Sequence, residues 1–104
     1  MAPGDTTMAT YILLGNFTDQ GIKTVRETTH RAEIVESAAR QAGLTLKQIY
    51  WTLGKYDLVC TFDAPDDAAM TAFGLAIGQQ GNVRTQTLRG FDRTEMNAIL
   101  AKVK

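Results

Sequence analysis

Cysteine is nearly missing from this chain: Cys60 is the only one. A lone thiol rules out an internal disulfide and any cysteine cluster for zinc. It fits a reducing compartment, so a cytoplasmic setting is expected. Histidine is as scarce, with His30 alone, which excludes a histidine-rich metal site within one chain; no metal and no resident cofactor is expected. Net charge is also absent. Eleven basic residues balance eleven acidic ones, whereas a duplex binder carries a basic excess, so no nucleic-acid partner is expected. No apolar run approaches the ~20 residues of a membrane helix, and no membrane partner is expected. Residues 1–7 lack the basic start and apolar stretch of a secretory signal. They read as a flexible tail, with Met8 as a second possible start, and residues 8–104 read as one domain.

What is present is the composition of a folded domain. The 104 residues are 44% hydrophobic and 21% charged, enough for one core without disulfide or metal. Residues 9–16 open with Thr10-Tyr11-Ile12-Leu13-Leu14, a run rich in strand formers and closed by Gly15-Asn16. Thr18 can cap a helical start with Asp19 in its first turn. Gly21 and the threonines at 24, 28 and 29 weaken the helix there. From His30 onward Ile34, Val35, Ala38, Ala39 and Ala42 form one apolar stripe, and Gly43 is suited to the C-terminal cap. Residues 44–53 alternate as a second strand, with Ile49, Trp51 and Leu53 on one side and Gln48, Tyr50 and Thr52 on the other. Gly54-Lys55 predicts a tight two-residue hairpin turn into a third strand over 56–62.

Ala64-Pro65-Asp66-Asp67 predicts a helix start with proline at the first helical position. Met70, Phe73, Leu75, Ala76 and Ile77 are its apolar residues, and Gly78 and Gly81 should stop it. Residues 82–89 form a more polar fourth strand, as suits a sheet edge. Asp92-Arg93-Thr94-Glu95 is a capping box before a last helix over 92–103, with Met96, Ile99, Leu100 and Val103 as its buried face. The order is β-α-β, hairpin, β-α-β, then α. Right-handed crossovers place both crossover helices on one face of an antiparallel four-stranded sheet. The first and third strands carry apolar side chains on both faces, so the other face needs a cover. A second copy of the chain is the economical one, which predicts a homo-oligomer, a dimer first. The alternative is that the last helix folds back over that face and leaves a monomer.

Gly54-Lys55-Tyr56-Asp57 carries a resemblance. Together with Tyr11-Ile12-Leu13-Leu14, Ile49-Tyr50-Trp51-Thr52-Leu53-Gly54, the acid loop Ala64-Pro65-Asp66-Asp67 and Gly81-Asn82-Val83-Arg84-Thr85, it resembles the GYD-domain family of small bacterial proteins. The family's glycine–tyrosine–aspartate signature is interrupted here by Lys55. The resemblance runs over residues 8–103. It implies a ferredoxin-like α+β protomer, βαββαβ with an extra C-terminal helix, of the dimeric α/β-barrel type. Relatives within that wider fold group include cofactor-free oxygenases, haem-using enzymes, isomerases and ligand-binding modules, and a shared fold is only analogy for function.

The candidate catalytic residues are Tyr56, Asp57 and His30. Tyr56 and Asp57 follow the turn directly and should point to opposite faces of the third strand. Their plainer roles are structural: Asp57 on turn amides, Tyr56 over the core. His30 could act as a general base or a single haem ligand, against the commoner role of a solvated helix-end histidine. Trp51 and Tyr50 lie on opposite strand faces, so one should reach the open face. With Arg84 and Tyr56 they are the candidate ligand-binding residues, since an aromatic floor with an arginine suits a small anionic or aromatic ligand. The same residue types are equally typical of a dimer interface. Cys60 should be buried mid-strand and inert. These residues favour a cytoplasmic bacterial homo-oligomeric module that binds a small molecule or serves assembly. The alternative is a cofactor-independent or haem-dependent enzyme of the dimeric α/β-barrel group.

Overall fold

Alternation of apolar side chains sets the first strand, β1 (Ala9–Phe17), in which Tyr11, Leu13 and Gly15 are buried and their neighbours only half so. The computed structural model describes residues 7–104; the expected tail over 1–7 lies outside them apart from Thr7. The Thr18 side chain accepts from the Gly21 N–H and starts the short helix α1 (Asp19–Lys23). A single 3-10 turn (Val25–Glu27) leads into α2 (Thr28–Gln41). Gly43 follows α2 at φ +84°, a left-handed conformation that glycine adopts without strain. Strands β2 (Thr45–Trp51) and β3 (Leu58–Ala64), helix α3 (Asp67–Gln79), strand β4 (Val83–Gly90) and helix α4 (Arg93–Leu100) complete the chain.

The sheet has the order β2-β3-β1-β4 with every neighbouring pair antiparallel. This is the ferredoxin-like α+β arrangement. Tyr11 and Leu13 pair with Phe62 and Cys60, and these four side chains pack with Ala39 of α2 and with Met70 and Phe73 of α3. Both crossover helices therefore cover one face. The Phe62 and Phe73 rings meet edge to face at 5.7 Å, a favoured geometry for aromatic pairs.

The other face is organised in two rows. One runs Tyr50–Val59–Leu14–Gln86 across the four strands, and the next runs Gln48–Thr61–Ile12–Leu88. Among the described residues no helix lies on them. Tyr50 and Leu88 are 59% and 40% exposed.

Four local expectations are corrected. The turn after β2 is not a two-residue hairpin: the strand ends at Trp51, and the Thr52 N–H donates to the Asp57 carbonyl at 2.8 Å. Four residues lie between those two, and Gly54 takes φ +108° among them. Leu53 thereby leaves the strand and is fully exposed. Pro65 is not the first helical residue, because Asp66 caps α3 by accepting from the Ala69 N–H at 2.8 Å. Gly78 lies inside α3, while Gly81 at φ +82° follows it. Finally, Met96, Leu100 and Val103 are exposed. Helix α4 packs closely against no other described element, and Tyr50 and Leu88 of the open face stay exposed.

Candidate functional site

The signature loop is built on hydrogen bonds to the end of β1. The Asp57 carboxylate accepts from the Phe17 N–H at 2.9 Å, and the Asp57 N–H donates to the Gly15 carbonyl at 2.9 Å. The Asn16 amide donates to the Lys55 carbonyl at 2.8 Å, and the Thr52 hydroxyl donates to the Tyr56 carbonyl at 2.6 Å. Asp57 thus ties the loop to the sheet. Tyr56 reaches over the open face, where its hydroxyl donates to Gln86 Oε1 at 3.3 Å. Both residues precede β3 rather than starting it.

The expected ligand-binding residues separate by face. Tyr50, Tyr56 and Arg84 belong to the open face, Arg84 opposite Asn16 at one end. Trp51 pairs with Leu58 on the helix-covered face, and its indole N–H donates to the Thr28 hydroxyl at 2.9 Å. His30 is exposed near the start of α2.

Trp51 stands at a cavity. Helices α2 and α3 do not close over the sheet between them, and leave a half-open gap of about 390 Å³. Leu13, Leu58, Cys60 and Phe62 form its floor, Val35 and Ala38 one wall, Phe73 and Ile77 the other. Thr28, Arg31, Gln80 and Asn82 supply its polar groups. Tyr56, Asp57 and His30 do not line it. The GYD-domain profile matches residues 11–100 of the chain. This chain belongs to the GYD-domain family. A similar protein is the "Glutamine synthetase and cystathionine beta-lyase binding protein" of Thermus thermophilus. It is 31% identical over 94 residues, which span 89% of this chain and 99% of the relative. No solved structure matches.

Within this GYD domain two buried groups titrate abnormally. Burial pushes the Cys60 thiol up to about 11, so it is a poor nucleophile at neutral pH. Tyr11 is raised above the ordinary phenol range, first by burial and then by its hydrogen bond to Asp67 Oδ1 at 2.5 Å. That bond fastens β1 to the first turn of α3. No group of three or more His, Cys, Asp or Glu side chains suited to a metal occurs among the described residues. No helix among them is long and apolar enough to cross a membrane. Reading along the sequence missed Thr28, Arg31, Gln80 and Asn82 as a group, because they come together only where α2 begins and α3 ends. The small residues Ala32, Ala38 and Ala76 along the two helices were the available signal that the walls stand apart.

Proposed function

We propose that this GYD domain is an assembly module that works as a homodimer and docks on metabolic enzymes in the bacterial cytoplasm. The open sheet face carries the reading. Ile12, Leu14, Val59 and Leu88 form an apolar centre in two adjacent rows, with Tyr50 and Tyr56 beside it. Large apolar patches are uncommon on monomers. A two-fold axis sets the same patch against itself, so a second copy is self-complementary by construction. Two such sheets stack at about 10 Å with their side chains interdigitated. The name of the Thermus relative supports the enzyme-docking half, as the two chains align over nearly their whole lengths.

Size-exclusion chromatography with light scattering tests the first half. The wild type should elute with the mass of two chains. Leu88→Lys places an unpaired charge in the interface twice and should weaken the dimer about a hundredfold or more. A wild-type monomer at micromolar concentration would remove the dimer. For the second half, purified glutamine synthetase and cystathionine beta-lyase are titrated onto immobilised protein. Saturable binding to one or both is expected, and binding to neither would overturn it.

A further inference from the structure

We infer that the cavity between α2, α3 and the sheet binds a small monocarboxylate with an apolar body. The site lies on the helix-covered face, so it does not depend on what covers the other face.

Volume decides what kind of occupant fits. The cavity holds about 390 Å³, inside the range of roughly 300–1,000 Å³ typical of small-molecule pockets. At about 30 Å³ for each water-sized group, that is about a dozen non-hydrogen groups. Two turns of a helix with side chains, about 10–12 Å across and 11 Å long, fill about 1,000 Å³, more than twice the gap. Most of the wall offers water no hydrogen bond, so an apolar body that displaces water from it is favoured. Protein interiors are otherwise packed as densely as organic crystals, so a gap of this size between two helices is a structural feature in itself.

Charge decides which end group fits. Arg31 is the one charged residue among the described residues that line the cavity, and no carboxylate lines it. The guanidinium is already held in place. Its Nη1 donates to the Thr24 carbonyl at 3.2 Å and to the Thr24 hydroxyl at 2.9 Å, and its Nη2 donates to the Gly21 carbonyl at 3.2 Å. A guanidinium has five N–H donors; three are engaged here, which leaves two for a ligand. Thr28 is likewise poised. Its hydroxyl oxygen accepts from the Trp51 indole, so its own hydrogen is left to donate. A carboxylate between Arg31 and Thr28 gains charge-assisted hydrogen bonds from two side chains that neighbouring groups already hold in place. The first turns of α2, where both residues sit, also carry the positive end of the helix dipole. The apolar body then lies over the floor toward Cys60 and Phe62.

Trp51 is the only tryptophan in the chain and lines the cavity, so its fluorescence reports occupancy directly. The purified protein is titrated with decanoate, below its micelle concentration, and in parallel with decanol. Native mass spectrometry supplies the stoichiometry. Decanoate should change Trp51 emission saturably, at one molecule per chain. Arg31→Gln should weaken decanoate about tenfold or more, the size of a lost hydrogen bond to a charged group, and leave decanol unchanged. Ala38→Phe fills the cavity from an exposed position on α2 and should abolish both responses at unchanged circular dichroism and oligomeric mass. No saturable response to decanoate overturns the site, as does wild-type binding by Ala38→Phe. An equal effect of Arg31→Gln on both probes overturns the carboxylate assignment.

Discussion

At the scale of single residues, Asp57 contributes by satisfying a backbone donor. The Phe17 N–H that it accepts sits at the partly buried end of β1. Asp57→Ala removes the acceptor and should lower unfolding free energy by about 1–3 kcal/mol. Asp57→Asn keeps a carbonyl acceptor and should cost less; urea melts of the two variants make the comparison. Gly21 is constrained by space. A Cβ there would stand 1.9 Å from the Asn82 carbonyl oxygen, with no flexible side chain to yield. Gly21→Ala must push α1 away from the start of β4 and should destabilise by about 1–3 kcal/mol or more. Cys60 gives the pH dependence. Burial pushes its folded thiol up from 9.0 to about 11. The folded state therefore binds more protons between those values. The stability this represents is complete below about pH 9 and is lost as pH rises through about 11, on the order of 2–3 kcal/mol. Cys60→Ala should flatten that part of the stability–pH curve. Tyr11, also raised, adds a loss of the same sign above the ordinary phenol range.

At the scale of elements, α4 shows what a cap does where packing is slight. Asp92 accepts from the Glu95 N–H at 2.8 Å, and Glu95 returns the bond to the Asp92 N–H at 3.0 Å. Arg89 of β4 approaches Glu95 at 3.3 Å and lies over the Phe91 ring at 4.6 Å. An isolated helix shorter than about 12 residues is marginal in water, and α4 has 8. Asp92→Ala should cost α4 about 1 kcal/mol. Amide exchange at 96–100 should accelerate while the urea midpoint of the sheet stays put. Helix α3 differs in kind: capped by Asp66 and joined to Tyr11 through Asp67, it should melt with the core.

At the scale of the whole molecule, the sheet divides two tasks. One face, under α2 and α3, holds the core and the cavity. The other presents Ile12, Leu14, Val59 and Leu88 with no described helix above them. If two copies share that face, folding and association are linked by mass action. The thermal midpoint of the wild type should then rise with protein concentration, and that of Leu88→Lys should not. Calorimetry over a tenfold or wider dilution series measures both.

The sequence by itself determined the element order, the family and the double-sided apolar character of β1 and β3. Local rules suffice for these: period-two alternation at Tyr11–Leu14, the helical stripe through Val35 and Ala39, glycines where φ turns positive at 43 and 81, and a capping box at Asp92 and Glu95. The loop at 52–57 lay beyond those rules. Its closure depends on Asp57 meeting Phe17 and on Asn16 meeting Lys55, contacts between the loop and a strand distant in the chain. Register decided the rest. It sent Trp51 to the helix face and Tyr50, Tyr56 and Arg84 to the open one. Only the packing of α2 and α3 on the sheet left a gap between them and set Arg31 beside it, because the spacing of two helices depends on every side chain beneath them.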